Sequence, residues 1–187
     1  MLNFVRVSGM IKKLYYFLAK ISDLFQKPLE FFIAFFLYTG VVAIIFQVLY
    51  RYVLVKHFHF SFPYTEEYSR YALIWMTFLG AGIVLKEGTL ISVNFLYERL
   101  QGLSKYVIYF ITRSMMLLFM YVIIRYGLAY LPQARLFKSP VLGISGVLLY
   151  MMPVLGCLLM IYETFVDILG VICGELKPFS RRLPKNS

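Results

Sequence analysis

Arg113 and Arg125 lie deep inside one apolar stretch of this sequence, and Glu163 and Asp167 inside the next. A charge at the bilayer centre costs roughly 2.5–3.5 kcal/mol on insertion scales, so each such residue marks a candidate site by default. Glu163 and Asp167 stand at i, i+4 on one helix face and repel each other unless a cation lies nearby. Arg113 sits about two turns into its stretch, and the next stretch runs the opposite way, so an Arg113–Glu163 or an Arg113–Asp167 pair is open geometrically. The simpler reading of the group is a packing pair, or side chains snorkelling to the interface. An ion pathway normally needs more converging polar groups. Arg125, near the far end of its stretch, is expected to snorkel.

Glu66, Glu67 and Arg70 form a second group just before another apolar stretch. Glu66 and Arg70 are at i, i+4 in the favourable order for a helical ion pair. Pro63 or Thr65 could start that helix. The group reads either as a helix-start cluster or as an outward-facing contact with a partner or ligand. His57 and His59 have no Cys or further His nearby, which speaks against a metal site. Gly80-Ala81-Gly82 follows no strand, so it is not a dinucleotide loop, and small residues there are expected to let helices approach closely. With no P-loop, HExxH, nucleophile elbow or Cys cluster, the expectation is a non-catalytic chain with no cofactor.

The composition names the solvent these residues face. The 187 residues are 61% hydrophobic and 15% charged, with a mean hydropathy of +0.76, against about 45–50% apolar and about 25% charged in soluble domains. Four stretches, 29–50, 68–85, 107–131 and 141–173, suit hydrocarbon spans of about 20 residues. The last is long enough to tilt or to extend into water, and its Pro153 predicts a kink. The fold class is therefore an all-α integral membrane protein with four transmembrane helices plus amphipathic surface helices, forming a single domain over 1–187. Residues 10–27 repeat Met10, Leu14, Phe17, Ile21 and Leu24 at helical spacing, with Lys13, Lys20 and Asp23 on another face. The connector 88–105 repeats Val93, Leu96, Leu100 and Leu103 in the same way. Both are expected to lie on the membrane surface or to dock on a partner. Cys157 and Cys173, in one helical segment, are about 24 Å apart and out of disulfide reach.

The net charge of +10 reads as attraction to the cytoplasmic face and its anionic lipids rather than to nucleic acid. Twelve Lys and Arg precede the first stretch, lie between the second and third, or follow the fourth, against four on the other side. That bias places both termini in the cytoplasm. The apolar run near the N-terminus is too long for a signal peptide and is expected to be an uncleaved span. Broken paired spans of the kind found in secondary transporters are absent, so the chain is not expected to be a complete carrier.

The segment Thr65-Glu66-Glu67-Tyr68-Ser69-Arg70, with Ile74-Trp75, Phe78-Leu79-Gly80-Ala81 and then Lys86-Glu87-Gly88, Ile91, Val93 and Leu96, resembles the small membrane subunit of tripartite ATP-independent periplasmic (TRAP) transporters, the DctQ-like small permease. A second, weaker likeness lies at Gly143-Ile144-Ser145 with Pro153. The sequence departs from the family at Leu90 and Asn94, where many members carry the His and Asp of "HI.VD"; that departure reads the stretch as structural. The resemblance implies a three-part system in a bacterial inner membrane. A periplasmic binding protein captures an organic acid such as a four-carbon dicarboxylate or sialic acid, with a slight lean to sialic acid. A large membrane subunit imports it by a sodium-driven elevator motion, and sodium coupling belongs to that subunit. This chain would scaffold and anchor the large subunit, with Glu66, Glu67 and Arg70 as a contact for a partner. The alternative is a stand-alone channel or carrier using Arg113, Glu163 and Asp167.

Overall fold

The computed structural model describes residues 2–54, 63–87 and 103–176. Four helices carry them: α1 (Leu2–Leu49), running into a π-helical turn at Tyr50–Leu54, then α2 (Pro63–Lys86), α3 (Leu103–Ala134) and α4 (Gly146–Ile172). Each contains a window long and apolar enough to cross a membrane. At 1.5 Å per residue the 24 residues of α2 span about 36 Å, enough for a hydrocarbon core of about 30 Å. The all-α, four-span expectation is met. His57 and His59, residues 88–102 of the amphipathic connector with Leu90 and Asn94, and the tail from Lys177 lie outside the described residues.

The amphipathic stretch 10–27 and the apolar stretch 29–50 are one continuous helix. Pro28 sits within α1, where it removes one backbone donor without ending the helix. The chain forms two compact units, and every helix contributes to both.

The first unit holds α1 up to Lys27, α2 from Ala81, α3 up to Val122 and α4 from Cys157. Leu85, Tyr109, Met120, Cys157 and Val166 are buried in it. The face of α1 that packs here is not the apolar stripe. Tyr15 and Ser22 are buried, whereas Leu14, Phe17 and Leu24 are exposed. Exposed apolar side chains are solvated by hydrocarbon, whereas a buried hydroxyl such as that of Ser22 needs a partner within the protein. Tyr162 Oη donates to Leu18 O at 2.8 Å, and Ser22 Oγ donates to Glu163 Oε1 at 2.6 Å. Past the end of α4, Gly174 takes φ 72° and the amides of Glu175 and Leu176 return to Gly170 O at 3.0 and 3.1 Å, closing the helix with a left-handed glycine.

The second unit holds α1 from Pro28, α2 up to Gly80, α3 from Ile123 and α4 up to Gly156. Small residues set its spacing: a Cβ on Gly156 would stand 2.6 Å from Phe78 O, so α4 meets the backbone of α2. The approach expected at Gly80-Ala81-Gly82 is looser. A Cβ on Gly80 would meet Ile33 only at 4.0 Å, and in the first unit one on Gly82 would make an ordinary 3.5 Å contact with Leu159. The ring of Phe36 meets that of Trp75 edge-on at 5.0 Å. Between α3 and α4 the chain turns through Lys138–Ser145, closed by a bridge between those two residues. Residues 141–145, read from the sequence as part of the last span, belong to this turn. Ser145 then caps α4, its Oγ accepting from Val147 N–H at 3.4 Å.

Candidate functional site

In the first unit, the charges expected from the sequence divide between two different partners. Arg113 Nη2 donates to Asp167 Oδ2 at 3.2 Å, with both side chains about a tenth exposed. Its guanidinium carbon also lies 5.3 Å from the centre of the Tyr109 ring, a cation–π distance. Glu163, one turn before Asp167, accepts instead from Ser22 of α1. The i, i+4 acids are thus held by different helices, and the repulsion expected between them is offset by the guanidinium at one and a hydroxyl at the other. Arg125, in the second unit, is exposed on α3.

A third connection was not legible in the sequence. Lys86, counted among the loop cations that orient the chain, is 4% exposed. Its Nζ donates to Asp23 Oδ1 at 2.5 Å and to Gln26 Oε1 at 2.7 Å. The sequence signal available was only that Asp23 and Gln26 lie three apart on the polar face of α1, with a cation at the end of α2. With Lys12–Glu175 at 2.9 Å, α1 is fastened by polar bonds to α2, to α4 and to the segment after α4.

In the second unit, Glu66, Glu67 and Arg70 have separate roles. Arg70 pairs with Glu66 one turn away, and both side chains are exposed; Gln47 of α1 also donates to Glu66, at 3.1 Å. Glu67 faces the turn before α4. Its Oε1 accepts from the Tyr71 hydroxyl at 2.7 Å and from the Ser139 hydroxyl, and its Oε2 from the amides of Val141 and Leu142 at 3.2 and 2.9 Å. One carboxylate thus takes four donors, which leaves Glu66 and Arg70 as the members of the group that face outward. The turn residues that Glu67 binds carry no sequence motif that would have named them.

These geometries hold helices together, with Glu163 and Asp167 each on a donor from another helix. Residues 40–174 match the family described as tripartite ATP-independent periplasmic transporters, DctQ component. A Haemophilus influenzae protein named "Putative TRAP transporter small permease protein" is 40% identical over 72 residues, which cover 38% of this chain and 45% of that protein. The match therefore spans less than half of that relative's length.

Proposed function

This chain belongs to the DctQ family of tripartite ATP-independent periplasmic transporters, and from that premise we propose that it is the stationary frame of such a transporter. It is a multi-pass membrane protein and a small permease component. In our reading it lies in a bacterial inner membrane with both termini cytoplasmic, packs against the large membrane subunit, and anchors the immobile part of that subunit while a sodium-driven elevator imports an organic acid. A periplasmic binding protein delivers the acid, of dicarboxylate or sialic acid type.

The observation that supports a frame is the engagement of charges between helices: Arg113 with Asp167, Glu163 with Ser22, and Lys86 with Asp23. Side chains locked in helix-to-helix pairs stiffen a bundle, and a moving subunit needs something stiff to move against. The exposed face of α1 and of the turn that follows it is a surface against which a large apolar partner fits. Phe31, Phe35, Tyr38, Val42, Ile45, Leu49 and Tyr52, each three or four residues after the last, are all exposed.

The test is a tagged pull-down from the native membrane in mild detergent, with mass spectrometry of what accompanies the chain. A stoichiometric, larger multi-span partner supports the frame; a chain that comes out alone or as a self-oligomer removes it. The rival, a stand-alone channel or carrier, predicts solute or ion flux through the purified chain in vesicles, lost in E163Q and D167N. The frame predicts no such flux and weaker assembly in the same variants. Uptake of dicarboxylates against sialic acid by the reconstituted complex decides the substrate class. Reversing the charges of Glu66 and Arg70 should weaken docking of the binding protein and spare assembly, and unchanged uptake at limiting binding protein would exclude that contact.

A further inference from the structure

Two adjoining cavities in the second unit change character along their length. The wider, about 430 Å³, opens beside the first turns of α2 and has Glu66 and Arg70 in its wall. The narrower, about 70 Å³, is a slot walled by Phe36 and Trp75. Tyr71 and Leu149 line both, so the two share a wall. From Pro63 at the mouth to Trp75 at the slot is twelve residues of α2, about 18 Å at 1.5 Å per residue. One leaflet of hydrocarbon is about 15 Å deep, half of a core of about 30 Å. A soluble ligand has no use for a site that is charged at one end and apolar one leaflet below; a lipid has that shape.

The charges at the mouth select the headgroup. Arg70 is largely exposed and pairs with Glu66, which is about half exposed and also accepts from Gln47, and an exposed ion pair of this kind contributes little and opens readily. Arg70 presents a planar fork that suits a phosphate, and Glu66 presents a carboxylate that suits a primary ammonium. Glu67 also lines the wall, but its oxygens are taken by four neutral donors, so Arg70 and Glu66 are the groups left to bind a headgroup and the mouth is net negative. An anionic headgroup would set its phosphate beside an unmatched carboxylate, and a choline would bring no N–H to that carboxylate.

We propose that these cavities bind one phosphatidylethanolamine-type phospholipid, its phosphate on Arg70, its ammonium on Glu66, and one acyl chain running past Tyr71 and Leu149 into the slot between Phe36 and Trp75. The inference stands apart from the frame reading, because it concerns a site within this chain and is read out by lipid content rather than transport.

The test is native mass spectrometry of the chain, with whatever copurifies, extracted from its own membrane in mild detergent. It is followed by exchange against phosphatidylethanolamine, phosphatidylglycerol and phosphatidylcholine of matched chains. One tightly held phospholipid per chain is expected, with phosphatidylethanolamine preferred about tenfold, the size of one charge-assisted hydrogen bond. R70Q, which removes the phosphate contact common to the three lipids, should lower retention of all of them, and E66Q should abolish the headgroup preference. L149W, which fills the shared wall, should lower retention of all three lipids. Shortening the acyl chains should lower retention by the wild-type protein, a readout that no folding defect confounds. Equal retention of the three headgroups would overturn the proposal, and so would an unchanged preference in E66Q or unchanged retention in R70Q. Binding of free phosphoethanolamine as tight as that of the lipid would overturn the acyl-chain part. Absence of the lipid from chain that has copurified with a larger subunit would show that protein fills the slot instead.

Discussion

The guanidinium of Arg113 on α3 donates to the carboxylate of Asp167 on α4 at 3.2 Å, both side chains buried, while Glu163, one turn earlier, goes to Ser22 of α1. Removing one partner of a buried pair leaves an uncompensated charge, a loss of about 3–5 kcal/mol, whereas replacing both with apolar residues of similar size is often close to neutral. R113M and D167L should therefore each lower the thermal midpoint of the detergent-purified chain strongly, and the double variant should recover most of the loss. A double variant as unstable as the sum of the singles would show that the two residues do not act as a pair.

Lys86 is buried against Asp23 and Gln26, so D23A strands an ammonium with a single amide acceptor. The expected cost is about 1–3 kcal/mol, larger than the ~0–1 kcal/mol of an exposed pair. The amphipathic part of α1 should also become cleavable by added protease in detergent. Unaltered protection in D23A would mean that the arm is held by its other bonds alone.

Glu67 accepts from four donors, and E67Q turns one of its oxygens into a donor facing donors. Amide hydrogen exchange at Val141 and Leu142 should accelerate, with a stability loss of about 1–3 kcal/mol. Exchange at those two amides unchanged from wild type would show the turn closing without the carboxylate.

At Gly156 an added Cβ would press on the Phe78 backbone at 2.6 Å, whereas at Gly82 it would rest at 3.5 Å on Leu159. Overpacking of this kind typically costs about 1–3 kcal/mol. G156A should therefore lower the thermal midpoint clearly, and G82A should leave it close to wild type. Equal effects from the two would contradict the close helix approach.

Four spans and the all-α class were legible in the residues, because a hydrocarbon core of about 30 Å demands runs of about 20 apolar residues and the chain has four of them. The costly charges inside those runs were legible too: Arg113, Glu163 and Asp167 stand out since charge is expensive there, and the block around Glu66 carries the family likeness. What the sequence could not settle was pairing. Spacing shows which residues share a face of one helix, yet it is silent on which neighbour that face meets. Ser22 and Glu163 are 141 positions apart, and Lys86 and Asp23 are 63.

The same limit explains the inverted arm of α1. In water an apolar stripe turns inward, but hydrocarbon solvates such a stripe, and the polar groups then decide the packing. Tyr15 and Ser22 therefore face the protein while Phe17 and Leu24 face out. The residues alone determined that this chain crosses a membrane and where its costly charges lie, because both follow from the composition of single segments. The tertiary structure decided which acid neutralises Arg113, that Lys86 is a buried tie, and that Glu67 holds a turn, because each depends on distances between segments remote in the chain.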